Sequence, residues 1–353
     1  MKYYTADEEH VKFLGRAFYE NGLLWCTYSG TGAAFTFYGT KLQITTVGDS
    51  VSEQPDNQDN FARIGIYVNG TRLIDSLQDQ KEKIFQVWES SVPKEVTVEI
   101  IKLSETAMSS VALKQIGVNA EQGIQPLAEK RPFIEFIGDS ITCGYGVDDE
   151  DKEHHFSTST EDVTRAFAYR TAEKLQADYS MVSISGYGII SGYSGDGETK
   201  IGEQTLPEYY EKAGFSYGSF HGSFPQDYVW DFQKRQPDLI VINLGTNDDS
   251  YCNIHTDRQE EFYAHYILFL KQVRKKNPPC PILCVLGMMG DRLYPFVERA
   301  VSDYKKETGE SNIYALRLEP QREEDGYVAD WHPTSVTHEK ASIKLTEEIK
   351  KIL

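Results

Sequence analysis

The sequence predicts two folds in tandem: an all-β jelly-roll sandwich over residues 1–118, and an α/β/α domain with a five-stranded parallel sheet over residues 133–353. Three observations lead there. Short runs rich in β-branched and aromatic residues fill the first third, separated by Gly, Asn and Asp turns. A polar connector follows at 119–132, and beyond it strand-like runs alternate with helical ones, the pattern of a parallel sheet covered on both faces. Finally, the apolar run Phe133–Ile137 stops abruptly in Gly138-Asp139-Ser140, the way a buried strand delivers a hydroxyl to the rim of a sheet.

Composition narrows the partners. A chain of 353 residues can bury a core in each part, and 40% hydrophobic with 12% aromatic residues mark it as globular. The formal net charge of -18 repels nucleic acid and anionic membrane, and suits a protein that handles neutral ligands. Met1 to Glu9 hold no apolar leader core, and no apolar run is long enough to span a bilayer, so a cytoplasmic location is expected. The five cysteines are scattered and odd in number, which argues against a disulfide framework; Cys280 and Cys284 lack a matching Cys/His pair for zinc.

In the first domain, Phe35–Tyr38, Leu42–Val47 and Arg63–Val68 read as strands, the last entering the hairpin dipeptide Asn69-Gly70. Glu95–Ile101 alternates polar and apolar at period two, and Asp49 to Asn60 reads as an exposed acidic loop. In the second domain the strand candidates are Phe133–Ile137, Tyr179–Ile184, Leu239–Leu244, Ile282–Leu286 and Ile313–Leu318. A helix is expected over Glu161–Leu175, with Thr160 as its N-cap. Another spans Arg258–Lys276, its apolar face formed by Phe262, Tyr266, Phe269, Leu270 and Val273, and stops at Asn277-Pro278-Pro279. The last, Ser335–Ile352, ends in a basic turn that suits the helix dipole. No internal repeat and no Gly-rich phosphate loop is present.

A serine at a strand end is a candidate nucleophile. It needs a base, a group that orients the base, and donors for an oxyanion. The ends of the next two strands offer donors: the backbone at Gly186, with Gly188 as the alternative, and the side-chain amide of Asn247. The loop before the last helix, Ala329-Asp330-Trp331-His332-Pro333, offers His332 as base, with the Asp330 carboxylate two residues earlier. Each element alone is common in structural loops. The four in this order point to acyl transfer through Ser140, His332 and Asp330, with the Ser140 N–H, the Gly186 N–H and the Asn247 amide as the oxyanion hole. Asp139 and Asp248 read as carboxylates that bond loop backbone, and Cys143 as packed rather than reactive. Trp331 belongs either to the core or to a ligand-stacking face; Tyr187 and Tyr145 are further aromatic candidates at the rim. His154 and His155, in an acidic loop, read as solvated surface, with a loop overhanging the cleft as the alternative.

Gly138-Asp139-Ser140-Ile141, Gly186, Gly245-Thr246-Asn247-Asp248 and Asp330-Trp331-His332-Pro333 resemble four sequence blocks of the GDSL/SGNH hydrolase superfamily. With a jelly roll ahead of them carrying Gly30-Thr31-Gly32 and Tyr67-Val68-Asn69-Gly70, the whole resembles carbohydrate esterase family 2. The resemblance implies a serine esterase that removes acetyl groups from xylan, mannan or glucomannan oligosaccharides without metal or organic cofactor. Its expected partner is the acetylated oligosaccharide, not nucleic acid or membrane. The superfamily's usual acid lies three residues before the histidine, where this chain has Ala329. In the family, some members orient the histidine through a main-chain carbonyl, so Asp330 and a carbonyl both stand as orienting groups. The β-domain reads either as a sugar-binding module or as one wall of the cleft. Two other functions stay open: a lipase or thioesterase on the same domain, and a sugar-binding protein with an inactive hydrolase domain.

Overall fold

The computed structural model describes residues 1–277 and 279–353. They form two compact units: Met1–Lys130 with Phe156–Val163 and Lys212–Val229, and Arg131–His155 with Thr164–Glu211 and Trp230–Leu353.

The first unit is an antiparallel β-structure. Its long strands Gly32–Gly48, Glu82–Lys102 and Val111–Pro126 pair side by side, with Arg63–Val68 and Thr71–Leu77 continuing the sheet. Ala33, Phe35 and Phe37 point into the core from the first half of Gly32–Gly48, Leu42 and Ile44 from the second. The switch from odd to even positions falls at a register irregularity between Gly39 and Lys41. An extra residue there flips the alternation, so both halves of one strand feed the same core.

Two expectations about this unit need correction. The connector placed at 119–132 is strand as far as Pro126. Ala120 and Ile124 are buried while Asn119, Glu121, Gln122 and Gln125 are exposed, so the polar residues that read as a linker are the solvent side of a paired strand. Nor is 133–353 one continuous domain, because 156–163 and 212–229 pack into the first unit. There the Glu161 carboxylate accepts the Glu105 N–H at 2.7 Å, Asp162 pairs with Arg72 at 2.5 Å, and Phe220 stacks on Trp25 at 4.0 Å. The same contacts explain why no helix begins at Glu161. Thr160 sits in a short 3-10 turn capped by Ser157, and the α-helix starts only at Phe167 and ends at Lys174.

The second unit is built on five parallel strands in the order Asp178–Ser183, Phe133–Gly138, Leu239–Asn243, Ile282–Met288, Ile313–Pro320. The four other than the edge strand Ile313–Pro320 are almost wholly buried, as expected where both faces are covered. Gly138 lies opposite Ser183 on one side and Asn243 on the other, so three strand ends reach the same rim. The helix Thr256–Lys276 buries the five apolar residues expected of it; of its expected stop, Pro278 lies outside the described residues. The last helix is Ser335–Ile352. A helix not singled out in the sequence, Tyr294–Thr308, begins with Pro295 in its first turn and ends at left-handed Gly309. Among the described residues no helix is long and apolar enough to cross a membrane.

Candidate active site

Ser140 is the first residue of a one-turn helix, Ser140–Cys143, that starts where the strand Phe133–Gly138 ends. Asp139 caps it: its carboxylate accepts the Ile141 N–H at 3.0 Å. A helix start leaves its first N–H groups without intrahelical partners, and the Ser140 N–H is one of these. Cys143 is fully buried and its thiol donates to Ser183 Oγ at 3.2 Å.

The two donor loops are tied together by Asp248. Its buried carboxylate accepts the N–H groups of Ile189 (2.9 Å), Ile190 (2.7 Å) and Ser191 (3.2 Å). Burial still pushes its pKa up to about 6, and that of Asp139 to about 7, the latter helped by the Asp248 charge. Gly186 has φ +81°, a left-handed conformation that favours glycine, and among the described residues nothing takes up its N–H. Gly188 is committed elsewhere: its N–H donates to Gln204 O at 3.2 Å, and a Cβ there would lie 2.2 Å from the Ser191 carbonyl oxygen. Gly186, not Gly188, is therefore the backbone donor available at this rim. One Asn247 amide hydrogen goes to the Tyr187 carbonyl at 2.9 Å, which fixes the amide and leaves the second hydrogen to offer.

The histidine loop is the most strained part of the site. Asp330 (φ 49°, ψ 39°) and Trp331 (φ 61°) are consecutive left-handed residues, neither of them glycine. The turn brings the Ala329 carbonyl oxygen back to His332, where it accepts the backbone N–H and lies 3.1 Å from ring Nδ1. A carbonyl can only accept, so Nδ1 carries the hydrogen and Nε2 presents its lone pair. Nε2 lies 2.9 Å from Ser140 Oγ. Burial pushes the His332 pKa down to about 4, against the opposing pull of the Ala329 carbonyl and the Asp330 charge. The ring is neutral at physiological pH and able to take a proton.

Residues 136–340 match the model of the GDSL-like lipase/acylhydrolase family, and residues 13–127 that of the carbohydrate esterase 2 N-terminal region. The chain belongs to the GDSL-like lipase/acylhydrolase family. It is 29% identical over 343 residues to the cellulase/esterase CelE of Acetivibrio thermocellus, covering 93% of this chain but 38% of that protein's length. It is 25% identical over 359 residues to an acetylxylan esterase/glucomannan deacetylase of Cellvibrio japonicus, covering 99% of this chain and 90% of that one. Among solved structures, a family two carbohydrate esterase from Clostridium thermocellum, in complex with cellohexaose, superposes with a TM-score of 0.80 at 25% identity, over 97% of this chain and 98% of that one. Its two-part architecture is that of carbohydrate esterase family 2.

In this acylhydrolase-family chain the orienting contact to His332 comes from the Ala329 carbonyl; of the two orienting groups expected, the carbonyl makes the contact and Asp330 does not. The Asp330 carboxylate instead accepts from the Tyr145 hydroxyl at 2.6 Å and faces His155 Nδ1 at 3.0 Å. The left-handed backbone turns the side chain away as it turns the preceding carbonyl inward. His155 lies at the surface as expected, its side chain 91% exposed, and from there it also reaches the Asp330 carboxylate. Tyr187 is also corrected: its ring is buried and packs edge-on to Tyr209, while its carbonyl holds Asn247. Tyr145 stacks on the His332 ring, centroids 3.9 Å apart and planes 20° from parallel. Trp331 is 47% exposed, and Lys152 Nζ sits 3.9 Å from its ring.

Ser140, His332, Gly186, Asn247, Tyr145, Asp330 and Trp331 line one cleft of about 650 Å³. Six other lining residues had no role in the sequence reading: Ser185, Tyr193, Thr246, Asp249, Ser250 and Met289. Tyr193, 63% exposed, had a usable signal: an aromatic residue between glycines in Ser191-Gly192-Tyr193-Ser194-Gly195. Met289 had none.

Proposed function

We propose that this protein is a serine esterase that removes acetyl groups from xylan, mannan or glucomannan oligosaccharides. The observation that carries the proposal is the 2.9 Å contact from Ser140 Oγ to His332 Nε2, with the ring's other nitrogen held by the Ala329 carbonyl. Ser140 Oγ attacks the acetyl carbonyl carbon as its proton passes to Nε2. The carbonyl oxygen becomes an oxyanion, met by the Ser140 and Gly186 N–H groups and the free Asn247 amide hydrogen. Collapse of the tetrahedral intermediate breaks the bond to the sugar oxygen, which leaves with the proton from His332. Water, activated by the same ring, then releases acetate from Ser140.

The sugar part of the proposal rests on the named activities of the relatives, on the cellohexaose held by the related structure, and on the open, aromatic-rimmed cleft. A carbohydrate leaving group is neutral, in keeping with a chain of net charge -18. The test is acetate release from acetylated xylo-, manno- and gluco-oligosaccharides, with NMR to identify which O-acetyl signals disappear. A series of p-nitrophenyl esters runs beside it. Rates that fall steeply from acetate to longer chains support the acetyl esterase; rates that climb with acyl length make the protein a lipase or thioesterase instead.

A further inference from the structure

We propose that Asp330 is the hub of a positioning network: through Tyr145 it sets an aromatic face against His332, and through His155 it holds the left-handed turn that supplies the Ala329 carbonyl. The proposal rests on the esterase reading above. In a Ser-His-Asp triad the carboxylate bonds the imidazole directly. Here both Asp330 oxygens are engaged by other residues, Oδ2 by the Tyr145 hydroxyl and Oδ1 by His155.

Tyr145 is tied to the nucleophile as well as to the base. It follows Gly144, which ends the Ser140 helix, and its N–H donates to the Ser140 carbonyl at 3.2 Å. Its ring lies flat on the imidazole and its hydroxyl reaches Asp330, 185 residues along the chain. Tyr145 therefore spans the two halves of the reacting pair.

The loop Asp148–His155 grips the strained turn at three points. The His154 carbonyl accepts the Asp330 N–H at 2.9 Å, His155 faces the Asp330 carboxylate, and Lys152 sits over Trp331. The loop is itself braced by Arg165 on Asp148 and by His154 on Asp149. Two successive left-handed non-glycine residues persist only where their surroundings hold them. These contacts supply the holding.

The chemical consequence concerns the moment of attack. When His332 takes the Ser140 proton it becomes a buried imidazolium whose Nδ1 meets a neutral carbonyl. A π-face against the ring stabilises that cation, and the gain exists only once the charge has formed. The titratable groups around His332 include Tyr145 flat against its ring, Asp330 on its own loop and His338 on the last helix, with Asp249 lining the same cleft.

The test is kinetics on p-nitrophenyl acetate with single and paired variants, each checked for folding by circular dichroism and thermal melting. Tyr145→Leu is expected to lower kcat about tenfold with little change in KM, and to move the acid limb of kcat/KM down by about half a pH unit. Tyr145→Phe keeps the stack, leaves that limb in place and loses less. Asp330→Asn is expected to cost about tenfold, against the ~10⁴ of a triad aspartate. Because Asp330 acts partly through Tyr145, adding Tyr145→Phe to Asp330→Ala should cost little more than Asp330→Ala alone. A loss near 10⁴ in Asp330→Asn, or losses that multiply in the pair, would overturn the network while leaving the esterase standing. Acetate release that survives Ser140→Ala would remove the esterase reading itself, and the network with it.

Discussion

His332 and His338 lie six residues apart, both buried, and the backbone gives them opposite tautomers. At His332, Nδ1 faces the Ala329 carbonyl, so the hydrogen sits there and Nε2 is left as an acceptor for the serine. At His338, Nδ1 accepts the Phe167 N–H at 3.1 Å, so the hydrogen sits on Nε2. That bond caps the first turn of Phe167–Lys174, where Ala166 occupies the cap position and has no side-chain oxygen to do so. Burial pushes both rings down, to about 4 and about 3. A depressed pKa in a buried site therefore selects both residues and distinguishes neither. What separates a base from a cap is the group that faces Nδ1: a carbonyl at His332, an N–H at His338.

The sharpest way to break the comparison is to remove each ring. His332→Ala, like Ser140→Ala, is expected to lower kcat for acetyl ester hydrolysis by ~10⁴–10⁶ while the thermal melt stays close to the parent's. His338→Ala is expected to do the reverse. It orphans the Phe167 N–H and leaves a cavity, costing about 2–4 kcal/mol in urea unfolding, with turnover of the folded enzyme much the same. Equal losses of activity in both variants would mean that His338 reaches the chemistry, and the distinction drawn from the tautomers would fall.

The same pair marks how far the sequence could be read. Ser140, Gly186 and Asn247 were legible because each stands at the end of an apolar run, and a strand's side chains have to reach the sheet's rim together. The five parallel strands and the helices Thr256–Lys276 and Ser335–Ile352 were legible from periodicity for a related reason: burial and local pattern agree. His332 was legible as a residue, but the choice between Asp330 and a carbonyl as its orienting group was not. A main-chain carbonyl has no letter of its own, and the left-handed turn that aims it uses Asp and Trp where glycine would have given a sign. Tyr145 and His155 lie 185 and 175 residues from Asp330, so no local pattern joins them. The misplaced helix start at Glu161 has the same origin. Thr160 read as the N-cap of a helix beginning at Glu161, yet long-range partners, Glu105 and Arg72, take Glu161 and Asp162.

The smallest expected effect, and the most specific, is the dependence on pH. For activity, a base held near 4 stays neutral well into acid, so kcat/KM should hold its plateau to about pH 5 and fall below it with the slope of one proton, whereas an unperturbed histidine would halve the rate near 6.5. For stability, the His338 pKa lies below its unfolded value of 6.5. Between those two values the unfolded chain binds the extra proton. The contribution of neutral His338 is therefore complete above 6.5 and is lost as pH falls, at no more than about 1.4 kcal/mol per pH unit. Asp139 and Asp248 run the other way: their folded pKa values are raised, to about 7 and about 6, so burying them costs less as pH falls through that range. The parent's own melting curve mixes these opposing trends and decides nothing. The difference between parent and His338→Ala isolates the histidine, because both carry the same carboxylates. That difference should shrink steadily from pH 6.5 to 4.5 in urea unfolding. A constant gap over the window would show that His338 does not need to be neutral, and that the Phe167 cap is not what holds it.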